Sequence, residues 1–201
     1  MLPCSAACER NKDPILEVLR VRFAGCTRVL EIGSGTGQHA VYFARALEHL
    51  IWHPTEQLAY LDDLAERVKL EGPGNLRAPT VLDVGQAVWP VRTVDAVFTA
   101  NTLHIMSWRE VTAAFAGIGS VLASAGVLCI YGPFRYQGRH TSRSNQEFDR
   151  MLQERDPLSG LRDIQEITSL ALQHGLALDA DHDLPANNRL LVFTKEPGST
   201  S

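Results

Sequence analysis

The segment Glu31-Ile32-Gly33-Ser34-Gly35-Thr36-Gly37 leaves an apolar run, Arg28-Val29-Leu30-Glu31-Ile32, and enters a stretch of helical periodicity. Glycine lets the main chain turn sharply and admits a ligand close to the backbone. The start of the following helix adds free N–H groups. With Glu31 at the strand end and Ser34 inside the turn, the segment suits a ligand with an amino-acid head. Its ammonium would meet the carboxylate, and its carboxylate the N–H groups. Glu56 follows a second apolar run, nineteen positions beyond Gly37. That is the region where such folds place a carboxylate on ribose hydroxyls. Asp83, followed by Val84, ends a third run, where a carboxylate can accept the exocyclic amine of adenine. Three acids at three successive strand ends read one ligand, S-adenosylmethionine.

The same loop contains Gly35-x-Gly37-x-x-Ala40, which satisfies a permissive dinucleotide fingerprint and keeps NAD open as the alternative. Glu31 ahead of the glycines, the third glycine at Gly37 and a hairpin at the end of the chain favour S-adenosylmethionine. No Gly-Lys-Ser/Thr follows the glycines, so a Walker phosphate loop is excluded.

A fourth apolar run ends in Thr99-Ala100-Asn101-Thr102-Leu103-His104. In a doubly wound sheet, ligands sit beyond the carboxyl ends of the strands, where the strand order reverses. Asn101 and His104 are therefore expected to face the glycine loop. His104 has the reference pKa of a base for an acceptor hydroxyl or amine, although a histidine there can equally be a packing residue. The fifth run exits through Tyr131-Gly132-Pro133-Phe134. The candidate catalytic residues are thus His104, Asn101 and Tyr131. Trp52, Tyr131 and Phe134 are the aromatic candidates for attraction to a sulfonium.

The elements that must position these residues follow from periodicity. Asp13-Pro14 reads as a helix start, with Pro at the first helical position. Ala40, Val41, Phe43, Ala44 and Leu47 share a helical face. Strands are expected at 28–32, 51–53, 80–84, 94–100 and 126–131, with helices at 58–70, 111–122 and 164–174. This alternation argues for a parallel sheet covered on both faces. Leu176–Ala180 and Leu190–Thr194 are joined by too few residues for a crossover helix, so they should pair antiparallel. Residues 135–162 carry Arg135, Arg139, Arg143, Arg150, Arg155 and Arg162 among interspersed acids. They read either as a lid for an anionic acceptor or as a solvated, internally paired face.

Composition sets the outer limits. The chain has 201 residues, 45% hydrophobic, with 19 Lys plus Arg against 23 Asp plus Glu and a net charge of −4. One domain over 1–201 is expected, frayed at 1–8 and 197–201. Without a basic excess, nonspecific nucleic-acid binding is disfavoured. A mean hydropathy of −0.08 and no long apolar run argue against a membrane span. The first residues lack the pattern of a secretory signal. Cys4, Cys8, Cys26 and Cys129 are scattered, which fits unpaired thiols in a reducing compartment. A cytoplasmic location, shared or not with the nucleus, is the expectation. No metal cluster is apparent.

These residues together carry a family resemblance. The chain resembles class I S-adenosylmethionine-dependent methyltransferases and, more narrowly, the family that includes methyltransferase-like protein 26. The matching stretches include Glu9-Arg10-Asn11-Lys12, Val29 to Ala40, Leu82-Asp83-Val84, Asn101 with His104-Ile105, Tyr131 to Phe134, Gly138 to Thr141, Ser144-Asn145, Phe148-Asp149, Arg162-Asp163 and Pro185 to Asn188. The resemblance implies a three-layer Rossmann-like fold, a seven-stranded mostly parallel sheet with an antiparallel terminal strand, and bound S-adenosylmethionine. It carries donor roles to Glu31, Gly33, Gly35, Gly37 and Asp83. Arg10 and Asn11, ahead of the first strand, would fold over the donor and touch its carboxylate or an acidic acceptor. One departure is Thr55-Glu56, where the family shows Ser-Asp. The implied partner is a small-molecule or protein acceptor, which the resemblance does not identify.

Overall fold

The computed structural model describes Leu2 and residues 4–197. The remaining positions expected to fray, Met1, Pro3 and 198–201, lie outside the described residues. The first helix, α1 (Ala6–Arg22), begins seven residues before Asp13. The Ser5 hydroxyl accepts from the Cys8 N–H and supplies the cap, so residues 6–8 are helical and Pro14 lies inside the helix. Pro14 removes one intrahelical hydrogen bond. Ile15, Leu16 and Leu19 nevertheless stay helical because their face is buried on the sheet, and packing outweighs the local preference.

The chain continues through β1 (Arg28–Ile32), α2 (Gln38–Ala46), β2 (Ile51–Glu56), a single 3-10 turn at Leu58–Tyr60, and α3 (Leu61–Glu71). It goes on through β3 (Thr80–Val81), β4 (Val94–Ala100), α4 (Trp108–Val121) and β5 (Leu122–Gly132). A small subassembly follows: β6 (Phe134–Tyr136), β7 (Arg139–His140), α5 (Arg143–Arg155) and β8 (Arg162–Asp163). The last elements are α6 (Ile164–Gln173), β9 (Leu176–Leu184) and β10 (Asn188–Lys195).

Seven strands form one sheet in the order β3-β2-β1-β4-β5-β10-β9. β1 pairs in parallel with β2 on one side and β4 on the other. The order therefore reverses between β1 and β4, as expected. β10 runs antiparallel to both β5 and β9, which confirms the terminal hairpin. Its connection turns through Ala186 and Asn187, both at positive φ, the conformation that tight hairpins demand.

Two apolar cores cover the sheet faces. One packs α4 and α6 through Phe115, Ile118, Ile167 and Leu170. The other packs α1 and α2 through Ile15, Leu19 and Phe43 against Trp52 and Phe98. Cys129 is buried in this second core and behaves as a small hydrophobe.

Two expectations are corrected. The third strand pairs only over Thr80–Val81; Asp83 then turns the chain by accepting the Gly85 N–H at 2.9 Å. Residues 135–162, to which the sequence assigns no elements, fold into a second, three-stranded sheet of order β7-β6-β8 packed with α5. Strands of two or three residues show no detectable period in sequence. Among the described residues no helix is long and apolar enough to cross a membrane.

Phe98 stands at the centre of the α1/α2 core, with Phe43 and Trp52 ring centroids at 5.3 and 6.0 Å. Phe98→Ala is expected to cost ~3–5 kcal/mol. In urea unfolding this appears as a lower midpoint at unchanged slope.

Candidate functional site

A cavity of about 650 Å³ opens at the carboxyl edge of β1, β2 and β4. Ile32, Gly33, Gly35 and Thr36 form one side, and Glu56 and Gln57 continue it from the end of β2. Ala100, Asn101 and Thr102 arrive from β4, and Leu82 and Val84 follow β3. The far wall is the carboxyl end of α5 and its turn, with Leu152, Arg155, Asp156 and Ser159.

The three loop glycines differ in purpose. A Cβ on Gly33 would lie 2.8 Å from Thr102 Oγ1, and one on Gly37 would lie 2.7 Å from Leu64 Cδ1. Those two glycines let the protein pack on itself. Gly35, at φ +55°, has nothing within 4 Å of the place where a Cβ would sit. Its bare Cα faces the cavity. The loop is stapled to β2 by Ser34, whose N–H donates to the Thr55 carbonyl (2.9 Å) and whose hydroxyl accepts from the Thr55 N–H (3.2 Å).

Glu56 lines the cavity and accepts the Gly35 N–H at 2.6 Å and the Gln57 N–H at 2.8 Å. Its carboxylate therefore sits at the mouth beside the glycine turn. Glu31 lies behind the loop and is not a lining residue. It is 2% exposed and accepts the Trp52 indole N–H at 2.8 Å. Burial pushes its pKa up to about 7, against the lowering by Trp52 and Ser34, with Glu56 adding to the rise.

Asp83 does not reach the cavity. Side chains alternate at this strand end, so Leu82 and Val84 turn inward while Asp83 is exposed and holds its own turn. Asn101 lines the cavity as expected, in a left-handed conformation (φ 57°), with its N–H on the Tyr131 carbonyl at 2.9 Å.

His104 is 7% exposed and outside the lining, its ring edge-on to Phe148 at 5.3 Å. Burial, helped by Arg162, lowers its pKa to about 4, so it is a neutral packed imidazole. It does stand near Asn101: a Cβ on Gly132 would have His104 Nδ1 at 3.8 Å and Asn101 Oδ1 at 4.0 Å.

Tyr131 is buried on the α1 face, near Asn11 and Asn188, and burial raises its pKa. Asn11 is buried too, its Oδ1 2.7 Å from His39 Nε2. Arg10 is exposed and does not line the cavity. Trp52 and Phe134 belong to the cores rather than to the site. The aromatic ring on the cavity is Tyr60, 64% exposed, which sequence reasoning missed.

The arginine-rich segment is not a basic lid. Arg143 and Arg150 pair with Glu147 and Glu154 along the exposed side of α5. Arg162 donates to the Leu103, Met106 and Leu158 carbonyls. Of these arginines only Arg155 lines the cavity, against Glu56, Asp63, Glu110 and Asp156. The acidic balance suits a ligand that carries positive charge. Glu110 and the α5 wall escaped the sequence reading because nothing local ties residues 152–159 to residue 33. Among the described residues there is no group of ligands that could hold a metal ion.

A family model described as "Protein of unknown function (DUF938)" matches residues 2–195. Among solved structures, an O-methyltransferase family protein from Burkholderia thailandensis is similar, with a TM-score of 0.82 at 17% identity over 96% of this chain and 58% of that one. Human N-acetylserotonin methyltransferase, solved with S-adenosylmethionine, has a TM-score of 0.80 at 12% identity over 94% of this chain and 53% of that one. SibL, an S-adenosylmethionine-dependent methyltransferase solved in its apo form, has a TM-score of 0.79 at 18% identity, with 95% and 56% covered. The chain spans little more than half the length of these proteins. At such identities the likeness shows the fold, the Rossmann-like methyltransferase fold.

The buried carboxyl of Glu31 has a consequence for stability. Between its ordinary pKa of 4.5 and its folded value of about 7, the folded protein binds the extra proton. Its stabilising contribution is complete below 4.5 and is lost as pH rises to about 7. His39 and His104, lowered from 6.5 to about 4, act in the opposite sense and lose stability as pH falls. In Glu31→Gln only the first slope disappears. The stability difference, variant minus wild type, should rise by about 1.4 kcal/mol per pH unit across that window. Urea unfolding at half-unit pH steps measures it, and a flat difference would contradict a buried carboxyl.

Proposed function

We propose a methyl-transfer function for this chain, which belongs to the family described as "Protein of unknown function (DUF938)". In this reading the cavity binds S-adenosylmethionine and serves an acceptor that is a small molecule or a protein side chain. The observation that carries it is the bare Cα of Gly35 opening onto the cavity beside the Glu56 carboxylate. A ligand that brings a ribose diol and a positively charged amino-acid end fits that pairing. The fold of the solved methyltransferases supports the same choice. The narrower relation to methyltransferase-like protein 26 rests on the matching stretches between Glu9 and Phe193 taken together, since the glycine loop alone marks only the wider class.

The residues divide the work by position. In this reading Glu56 takes the ribose hydroxyls, Val84 and Ile105 the adenine faces, and Gly33–Gly35, with Glu31 behind them, the amino-acid end. Bound S-adenosylmethionine supplies an electrophilic methyl carbon on a sulfonium. The chain's part is orientation, which can remove ~7 kcal/mol or more from such a barrier. Asn101, beside His104 and Gly132, is a polar side chain on the β4 side of the cavity where an acceptor would be held. His104 packs outside the lining and is held neutral, and this favours a second reading: a module that binds the donor without transferring the methyl. Release of S-adenosylhomocysteine in the presence of cell extract separates the two.

Calorimetry with S-adenosylhomocysteine and with NAD tests the reading. S-adenosylhomocysteine is expected to bind and NAD not; the reverse would replace the proposal with a dinucleotide site. Gly35→Val should weaken S-adenosylhomocysteine by ~100-fold or more while circular dichroism shows the fold retained, since the left-handed backbone costs only ~1–2 kcal/mol. Unchanged affinity would place the ligand elsewhere.

A further inference from the structure

Trp52 is fully buried, and its ring is wedged between Phe43 and Phe98, with centroids at 5.8 and 6.0 Å. Packing of that kind needs an apolar ring, not an indole N–H. The N–H has a specific target. Trp52 is in register with Val29 of β1, and its Nε1 reaches along the strand to donate to Glu31 Oε2 at 2.8 Å. The backbone of Glu31 is held as well, because the Thr55 hydroxyl donates to its carbonyl at 2.6 Å.

The surroundings of this carboxylate are short of positive charge. Its donors are the neutral Trp52 indole and Ser34 hydroxyl, and Glu56 at the end of β2 bears on it as a like charge. Cys8 of α1 is the titratable neighbour on the helix side. A buried carboxylate without a counter-charge is costly, and a ligand cation would relieve that cost. The next two residues, Ile32 and Gly33, line the cavity.

We propose that Trp52 is a positioning residue for the donor: its indole N–H, together with the Ser34 hydroxyl, fixes the Glu31 carboxylate beneath the glycine turn, where its negative charge draws the ammonium of the amino-acid end held by Gly33–Gly35. This rests on the reading of the cavity as an S-adenosylmethionine site. The rigid ring stack makes the indole a fixed anchor, so the carboxylate keeps one rotamer and the ligand need not order it.

The test compares two ligands that share the nucleoside and the sulfur but differ in the amino-acid end. Trp52→Phe should weaken S-adenosylhomocysteine by ~10-fold, the scale of one hydrogen bond to a charged group. It should leave 5′-methylthioadenosine within ~2-fold, because that ligand makes no demand on Glu31. Equal losses for both ligands, or no loss for either, would overturn the proposal. If Trp52→Phe fails to fold, the wild type answers through the ¹⁵N-indole resonance of Trp52, identified by eliminating those of Trp89 and Trp108 with Trp89→Phe and Trp108→Phe. That resonance should titrate with pH in the free protein and shift with S-adenosylhomocysteine but not with 5′-methylthioadenosine; a stationary resonance refutes the role. If the wild type binds neither ligand, the donor reading itself fails and takes this proposal with it.

Discussion

β1 is hydrogen-bonded along both edges, to β2 and to β4, and covered on both faces. A strand so enclosed has one exit, and the chain takes it through a turn with three glycines at positive φ. The chain leaves β1 for α2 on one face and leaves β4 for α4 on the other, so the two connections part and leave a gap where the order reverses. The cavity, the bare Cα of Gly35 and the bond from its N–H to Glu56 all follow from that exit. Ser34 then ties the turn to β2 through two hydrogen bonds with Thr55, so the shape of the loop belongs to the sheet rather than to the loop alone.

Polar groups buried near this edge are arranged by the low polarizability of the interior. Glu31 is held by two neutral donors and pushed toward protonation. His39 and His104 are held neutral. Asn11 and His39 satisfy each other beneath α1. The α1 side of the sheet edge is thus a region of uncharged or uncompensated polar groups, whereas the open cavity on the other side carries four carboxylates and one guanidinium.

The second small sheet and α5 act as a bracket. Arg162 donates to carbonyls on the β4–α4 connection and on the turn after α5, the Ser159 hydroxyl donates to the Ile105 carbonyl, and the Gly160 N–H donates to the His104 carbonyl. These bonds hold the far wall of the cavity against the residues that follow β4. Of the arginines that look like a basic patch in sequence, Arg162 is taken up by backbone carbonyls, and Arg143 and Arg150 by pairing along one helix.

Much of the architecture was legible in the residues themselves. Apolar runs marked the five parallel strands, the third as a longer one than Thr80–Val81, and the short link between Ala180 and Leu190 permitted only an antiparallel hairpin, because chain length bounds what a connection can span. The glycine turn and Glu56 were legible for the same local reason: turn chemistry and spacing act between near neighbours. What lay beyond the sequence was decided by distance in space. Whether Asp83 faces in or out depends on how the chain turns after a two-residue strand. Whether His104 is a base or a packed ring depends on Phe148, forty-four positions away. The α5 wall meets Gly33 only because the sheet folds it there. The Trp52–Glu31 hydrogen bond exists only because the parallel register sets Trp52 opposite Val29, two residues before Glu31, within reach of the indole N–H. Periodicity and turn chemistry are local, while burial, and with it the charge state and the partner of every polar group, is set by the assembled fold.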